Sequence, residues 1–141
     1  LQTSLKSLET AVREAVEHTR TPSVHLGSAA LSFFTFYAEN PRDLDLGFYL
    51  FRGGMKPRGL GRQRDEELNL ALERTLQPLA EAAAAMGATS KDAKLLMVEV
   101  FAHATGLLLL AHTGRIRMFG ASAQQLMERY IDEQVKRLKK G

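Results

Sequence analysis

Apolar residues recur at spacings of three and four along most of the chain, which is the period of an amphipathic α-helix. No stretch alternates between apolar and polar residues as a half-buried strand does. The first helical series, near the N-terminus, consists of Leu1, Leu5, Leu8, Val12 and Val16. The pattern therefore predicts an all-α fold.

Proline and glycine divide this pattern into six predicted helices. Pro22 suits the first turn of the second helix, and the step from Asn40 to Pro41 ends it. Pro78 lies inside the fourth helix and predicts a kink near Thr75. The predicted helices are 1–20, 22–39, 42–51, 62–86, 90–112 and 121–140, with a glycine-rich loop at 52–61. The 141 residues are expected to form a single domain, 1–141.

Composition narrows the chemistry. The chain has no cysteine, which excludes disulfides, zinc fingers and a thiol nucleophile and is consistent with a cytoplasmic location. The most apolar stretch, 100–111, contains His103 and is expected to be too short for a membrane span. No apolar core of a signal peptide is visible at the N-terminus. We expect no membrane association and no cofactor.

The net charge of +3 does not by itself indicate nucleic-acid binding. The surplus is more than covered by the C-terminal residues Lys136, Arg137, Lys139 and Lys140. Cations are favoured in the last turn of a helix by its dipole, so this cluster needs no DNA to explain it. A basic stripe of the kind that follows phosphates is missing elsewhere in the sequence.

Three motifs resemble a known family. Residues 37–41 read YAENP, residues 46–51 read LGFYLF and residues 57–60 read PRGL. With the order of the predicted helices, they resemble the ligand-binding domain of TetR-type (tetracycline-repressor-like) transcriptional regulators, over essentially the whole chain. The resemblance implies a small-molecule-sensing domain of a repressor that forms a homodimer. No counterpart of the family's helix-turn-helix precedes Leu1, so DNA binding is expected only through a segment outside this chain.

Aromatic residues are concentrated on the second and third predicted helices, and one face of the fifth helix is expected to point towards them. Such a cluster suits a mostly apolar pocket for an apolar or amphipathic effector. An ordinary filled core is the alternative, and the sequence leaves both open. The expected ligand-binding residues are His25, Phe33, Tyr37, Phe48, Phe51, Phe101 and Thr105.

The fifth predicted helix is apolar nearly all round, which is typical of a helix that is covered on two sides. The resemblance implies that the last two helices form a four-helix bundle with a second copy. Gly106 is expected to allow a close approach, either by a partner helix or within one protomer. The expected interface residues are Glu99, His103, Gly106, Leu110, Leu126, Tyr130 and Ile131.

The sequence shows no arrangement of residues that is typical of a catalytic site. No serine nucleophile with histidine and aspartate partners can be assembled, so we expect no enzymatic activity. Glu14 with His18 and Glu99 with His103 each share a helix face, but the further inward carboxylates of a di-iron bundle are missing, and no metal site is expected. The competing functions are a helical dimerisation module with a filled core and, more remotely, a small helical enzyme or metal protein.

Overall fold

A computed structural model of the chain describes residues 2–17, 19–40 and 61–140. Within these ranges it contains α-helices and no strand, which confirms the all-α fold. The helices are α1 (Gln2–Glu17), α2 (Pro22–Glu39), α3 (Gly61–Ala85), α4 (Ser90–His112) and α5 (Ala123–Lys140). The third predicted helix and the predicted loop lie outside the described residues, so the count of six helices stays a prediction.

Local signals explain most of the helix ends. The Oγ1 atom of Thr89 accepts a hydrogen bond of 3.1 Å from the backbone N–H of Asp92, as an N-cap residue does. Ser122 caps α5 in the same way through the N–H of Gln125. A short 3₁₀ helix, Arg117–Phe119, was not predicted, and it ends at Gly120 in the left-handed conformation (φ 72°). Helix α1 ends three residues earlier than the sequence predicted.

Helix α3 runs through Pro78. Proline has no N–H to donate to the carbonyl oxygen four residues earlier, that of Arg74. This oxygen instead lies 3.5 Å from Nη2 of Arg13, a donor on α1. The backbone group that proline leaves unpaired therefore becomes a contact between two helices.

Helices α1, α2 and α3 pack against one another, α4 packs on α3 and α2, and α5 packs on α2 and α4. Their apolar faces form one core, whose largest fully buried members include Leu8, Leu26, Phe33, Leu79, Leu96, Leu108 and Met127. Polar contacts between the described helices lie at the edge of the core: for example, Ser32 donates to the carbonyl of Ala11, and Arg74 pairs with Glu9 at 3.5 Å. Such exposed ion pairs add little stability, so apolar burial holds the helices together.

Helix α4 is by length and composition apolar enough to cross a membrane. At 23 residues it is longer than the 100–111 stretch considered from the sequence, so the length argument against a span does not hold. About a third of its most apolar window (33%) is buried within the chain, and core helices of soluble proteins meet the same criteria. The expectation of no membrane association stays a prediction.

Candidate functional site

Helix α4 has two apolar faces, and the described part of the chain covers only one of them. The covered face packs into the core through Ala93, Leu96, Met97, Val100, Ala104, Leu107 and Leu108. The opposite face, which we call the α4 stripe, consists of Leu95, Val98, Ala102, Gly106 and Leu109. Spacings of three and four place these five residues in one line along the helix. Val98 is 62% exposed and Leu109 53%, so no part of the described chain covers the stripe.

Beyond the stripe, the apolar surface continues at the C-terminal end of α4. An open groove of about 370 Å³, which we call the end groove, is lined by Leu110, Arg115, Ile116, Met118, Phe119, Ala121 and Leu126. Met118 and Phe119 on its rim are 72% and 79% exposed. Among the described residues, most of the large apolar side chains that lie exposed therefore belong to the α4 stripe and the end groove.

A second cleft, of about 290 Å³, lies between α3 and α4. This α3–α4 groove is lined by Leu72, Glu73, Leu76, Lys94, Met97, Val98 and Phe101. Its volume is near the lower limit for small-molecule sites, and its lining is mostly apolar with one group of each charge, as such sites often are. Of the predicted ligand-binding residues that the structure describes, only Phe101 lines it, and Val98 belongs to both the groove and the α4 stripe.

The predicted aromatic cluster is densely packed where it is described. The ring of Phe33 is 1% exposed and meets Tyr37 and Phe101 edge to face, at centroid distances of 5.4 and 6.0 Å. One turn beyond Phe101, the Oγ1 atom of Thr105 is buried and has no hydrogen-bond partner among the described residues. Phe48 and Phe51 lie outside the described residues. The structure thus brings together three of the predicted ligand-binding residues, with the Phe33 ring in contact with Tyr37 and Phe101.

His25 is not brought to these rings. It lies on α2 eight residues before Phe33, or roughly 12 Å along the helix axis. Its Nδ1 atom is 2.9 Å from Oγ1 of Thr19, which itself donates to the carbonyl of Val16. The tautomer of the imidazole decides which of these two atoms, Nδ1 or Oγ1, is the donor. His25 ties the start of α2 to the end of α1, at a distance from the α3–α4 groove.

Three predicted interface residues, Glu99, His103 and Tyr130, are engaged within the chain. Glu99 pairs with Arg137 of α5 at 3.6 Å, and the His103 ring stacks on Tyr130 with 3.9 Å between centroids. Both contacts join α4 to α5. The uncovered face of α4 overlaps the predicted one: Gly106 belongs to both, and Glu99 stays exposed at the border between the α4 stripe and α5.

The other predicted interface residues divide into two groups. A Cβ atom built on Gly106 meets nothing within 4 Å, and Leu110 and Leu126 line the end groove, so these three remain accessible. Ile131 is buried, and its Cγ2 atom lies 3.5 Å from the position of a Cβ on Gly27. The side chain of Ile131 thus packs on α2 of its own chain, and its place in an interface stays a prediction.

The stacked pair has perturbed ionisation. Burial lowers the pKa of His103 from its ordinary value of 6.5, and the nearby charge of Glu133 opposes this shift. For Tyr130, burial and Glu99 raise the pKa while Arg137 lowers it. The hydroxyl of Tyr130 is also buried without a partner. Burial therefore favours the uncharged form of both stacked rings, the imidazole of His103 and the phenol of Tyr130.

A lowered histidine pKa gives a stability change of definite sign. The unfolded chain binds a proton at His103 near pH 6.5, whereas the folded chain resists it, so the free energy of unfolding should fall as the pH drops below about 6.5. We expect His103→Phe, which keeps a ring over Tyr130, to lose part of this acid sensitivity. Melting temperatures between about pH 8 and pH 5 would test it. Equal pH dependence in both proteins would contradict it.

Comparison of the chain with models of known protein families, with curated proteins and with solved structures gave no significant match.

The sequence pattern did not identify the large apolar residues that are most exposed. Leu95, Val98 and Leu109 carry the helical spacing that would have identified a face, but α4 is apolar nearly all round, and the spacing alone does not say which face is free. Met118 and Phe119 follow the predicted end of the helix and gave no periodic signal. Lys94 lines the α3–α4 groove, but nothing in the sequence distinguishes it from the other lysines.

Proposed function

We propose that this chain is a dimer-forming, small-molecule-sensing domain of a TetR-type transcriptional regulator, acting in the cytoplasm. Its effector is an apolar or amphipathic molecule that binds in the α3–α4 groove. Its output on DNA passes through a helix-turn-helix segment that is not among these residues.

The observation that carries this proposal is that α4 both lines the α3–α4 groove and carries the uncovered α4 stripe. One edge of the helix lines the α3–α4 groove through Met97, Val98 and Phe101. The adjoining face is the uncovered α4 stripe, and Val98 belongs to both. A molecule in the groove would contact the same helix that meets a second copy, so binding could change how two copies are arranged. The charged groups of Lys94 and Glu73 in the lining would orient an amphipathic ligand.

The test is a thermal-shift screen against aromatic acids, fatty acyl compounds and hydrophobic drugs. A ligand at about 100 times its Kd stabilises the folded state by about 2.7 kcal/mol, or roughly 10 °C in Tm for a chain of this size. Leu72→Trp should fill the groove and abolish the shift. The matched control is Leu70→Trp, two residues earlier on α3, where the side chain is 56% exposed and does not line the groove. Equal shifts in both variants would place the ligand elsewhere.

A second function is supported by the dense packing of Phe33, Tyr37 and Phe101. On this alternative the chain is a helical dimerisation module with a filled core and no ligand. It predicts the same self-association and no thermal shift with any class of compound. A screen without a single stabilising compound would therefore favour the module over the sensor.

A further inference from the structure

We propose that two copies pair through the α4 stripe in an antiparallel arrangement whose two-fold axis passes beside Ala102, with Val98 of each copy seated over Gly106 of the other. This inference rests on the dimer formation of the proposed function and adds its register and direction. It does not depend on ligand binding.

The stripe is symmetric about Ala102. Val98 and Gly106 lie four residues on either side of it, and Leu95 and Leu109 lie seven on either side. In an antiparallel pair centred on Ala102, Leu95 meets Leu109 of the other copy, and Val98 meets Gly106. In the second pair, Val98 is 62% exposed, whereas Gly106 has no side chain and has open space where a Cβ atom would lie. A side chain therefore faces a gap on both sides of the axis.

A two-fold interface uses the same patch on both subunits, so it must be complementary to itself. The α4 stripe meets this requirement because it reads large, large, small, small, large with leucine at both ends. No charged residue lies between Leu95 and Leu109 on the line of the stripe. In this register Lys94 lies opposite Leu110 of the other copy and Glu99 opposite Thr105, so no two like charges face each other directly.

The available area also fits a second copy. Six exposed residues form the surface: Leu95, Val98, Leu109, Leu110, Met118 and Phe119. If a fully exposed large apolar residue contributes on the order of 150–200 Å², their exposed fractions amount to roughly 500–700 Å² per protomer. A standard interface buries about 800 Å² per partner, and Ala102 and Gly106 lie inside the same patch. In the antiparallel pair, Leu95 of one copy also approaches the end groove of the other.

The register can be tested by cysteine cross-linking, because the natural sequence has no cysteine. Three single variants of the full chain are made: Ala102→Cys, Leu95→Cys and Leu109→Cys. Each is treated with a bis-maleimide long enough to bridge two packed helices, whose axes lie about 8–10 Å apart. We expect Ala102→Cys to cross-link to itself at high yield. Two copies of Leu95→Cys should not cross-link, since 14 residues of helix separate these positions by roughly 21 Å.

The decisive sample is a mixture of Leu95→Cys and Leu109→Cys. We expect it to cross-link, with a yield at least ten times that of either variant alone. Self-cross-linking of Leu95→Cys and of Leu109→Cys would indicate a parallel pair and overturn the proposal. Dimers in which none of these samples cross-links would overturn it by placing the interface elsewhere. Neither result would affect a ligand-induced thermal shift, so failure of this register is distinguishable from failure of the sensing function.

Discussion

Ala102→Glu should convert the dimer of this chain into a monomer, with self-association weakened at least about 100-fold, or roughly 2.7 kcal/mol. In the proposed pair the two introduced carboxylates face each other across the two-fold axis, surrounded by apolar side chains. Burying an unpaired charge costs several kcal/mol, and a like charge beside it adds to this cost. In the single chain Ala102 is exposed, and glutamate is a good helix former, so the fold itself should be preserved.

Sedimentation velocity over a range of concentrations measures this effect. The matched control is Ala84→Glu, the same change at an exposed position of α3 outside the α4 stripe. The control should remain a dimer, and both variants should keep the helical circular dichroism of the wild type. A stable dimer of Ala102→Glu would mean that the stripe is not the interface.

Phe33→Ala should lower the free energy of unfolding by about 3–5 kcal/mol, as truncation of a large ring in a filled core does. The Phe33 ring is 1% exposed and is in edge-to-face contact with Tyr37 and Phe101, on α2 and α4. Its removal leaves a cavity at the junction of two helices. Urea unfolding followed by circular dichroism gives the free energy directly.

This measurement belongs in the Ala102→Glu background, because dimer formation adds a concentration-dependent contribution to stability. The control is Phe119→Ala, the same truncation at a side chain that is 79% exposed, which should change the free energy of unfolding by less than about 0.5 kcal/mol. A loss below about 1.5 kcal/mol for Phe33→Ala would indicate that the ring borders an empty space. The ligand site would then be expected in the aromatic cluster rather than in the α3–α4 groove.

Local signals made the helices predictable. The proline at 22 and the Asn40–Pro41 step fixed both ends of α2, because these effects depend on neighbours within one turn. Whether a helix forms at 42–51 stays a prediction. The 3₁₀ helix Arg117–Phe119 could not be anticipated, since three residues are too few to show a period.

The orientation of α4 could not be predicted from its sequence. A helix that is apolar nearly all round gives several equivalent choices of face, and the choice depends on where α3 and α5 pack. The predicted interface face includes Glu99 and His103, which contact Arg137 and Tyr130 of α5, and it shares Gly106 with the α4 stripe. The contact of His25 with Thr19, in the turn between α1 and α2, likewise could not be predicted from helical spacing.

Sedimentation equilibrium of the unmodified chain tests most directly whether the α4 stripe is covered by a second copy. We predict a mass of twice the 15.6 kDa of the chain at micromolar concentrations. A single species of 15.6 kDa that persists at the highest concentrations reached would contradict the account.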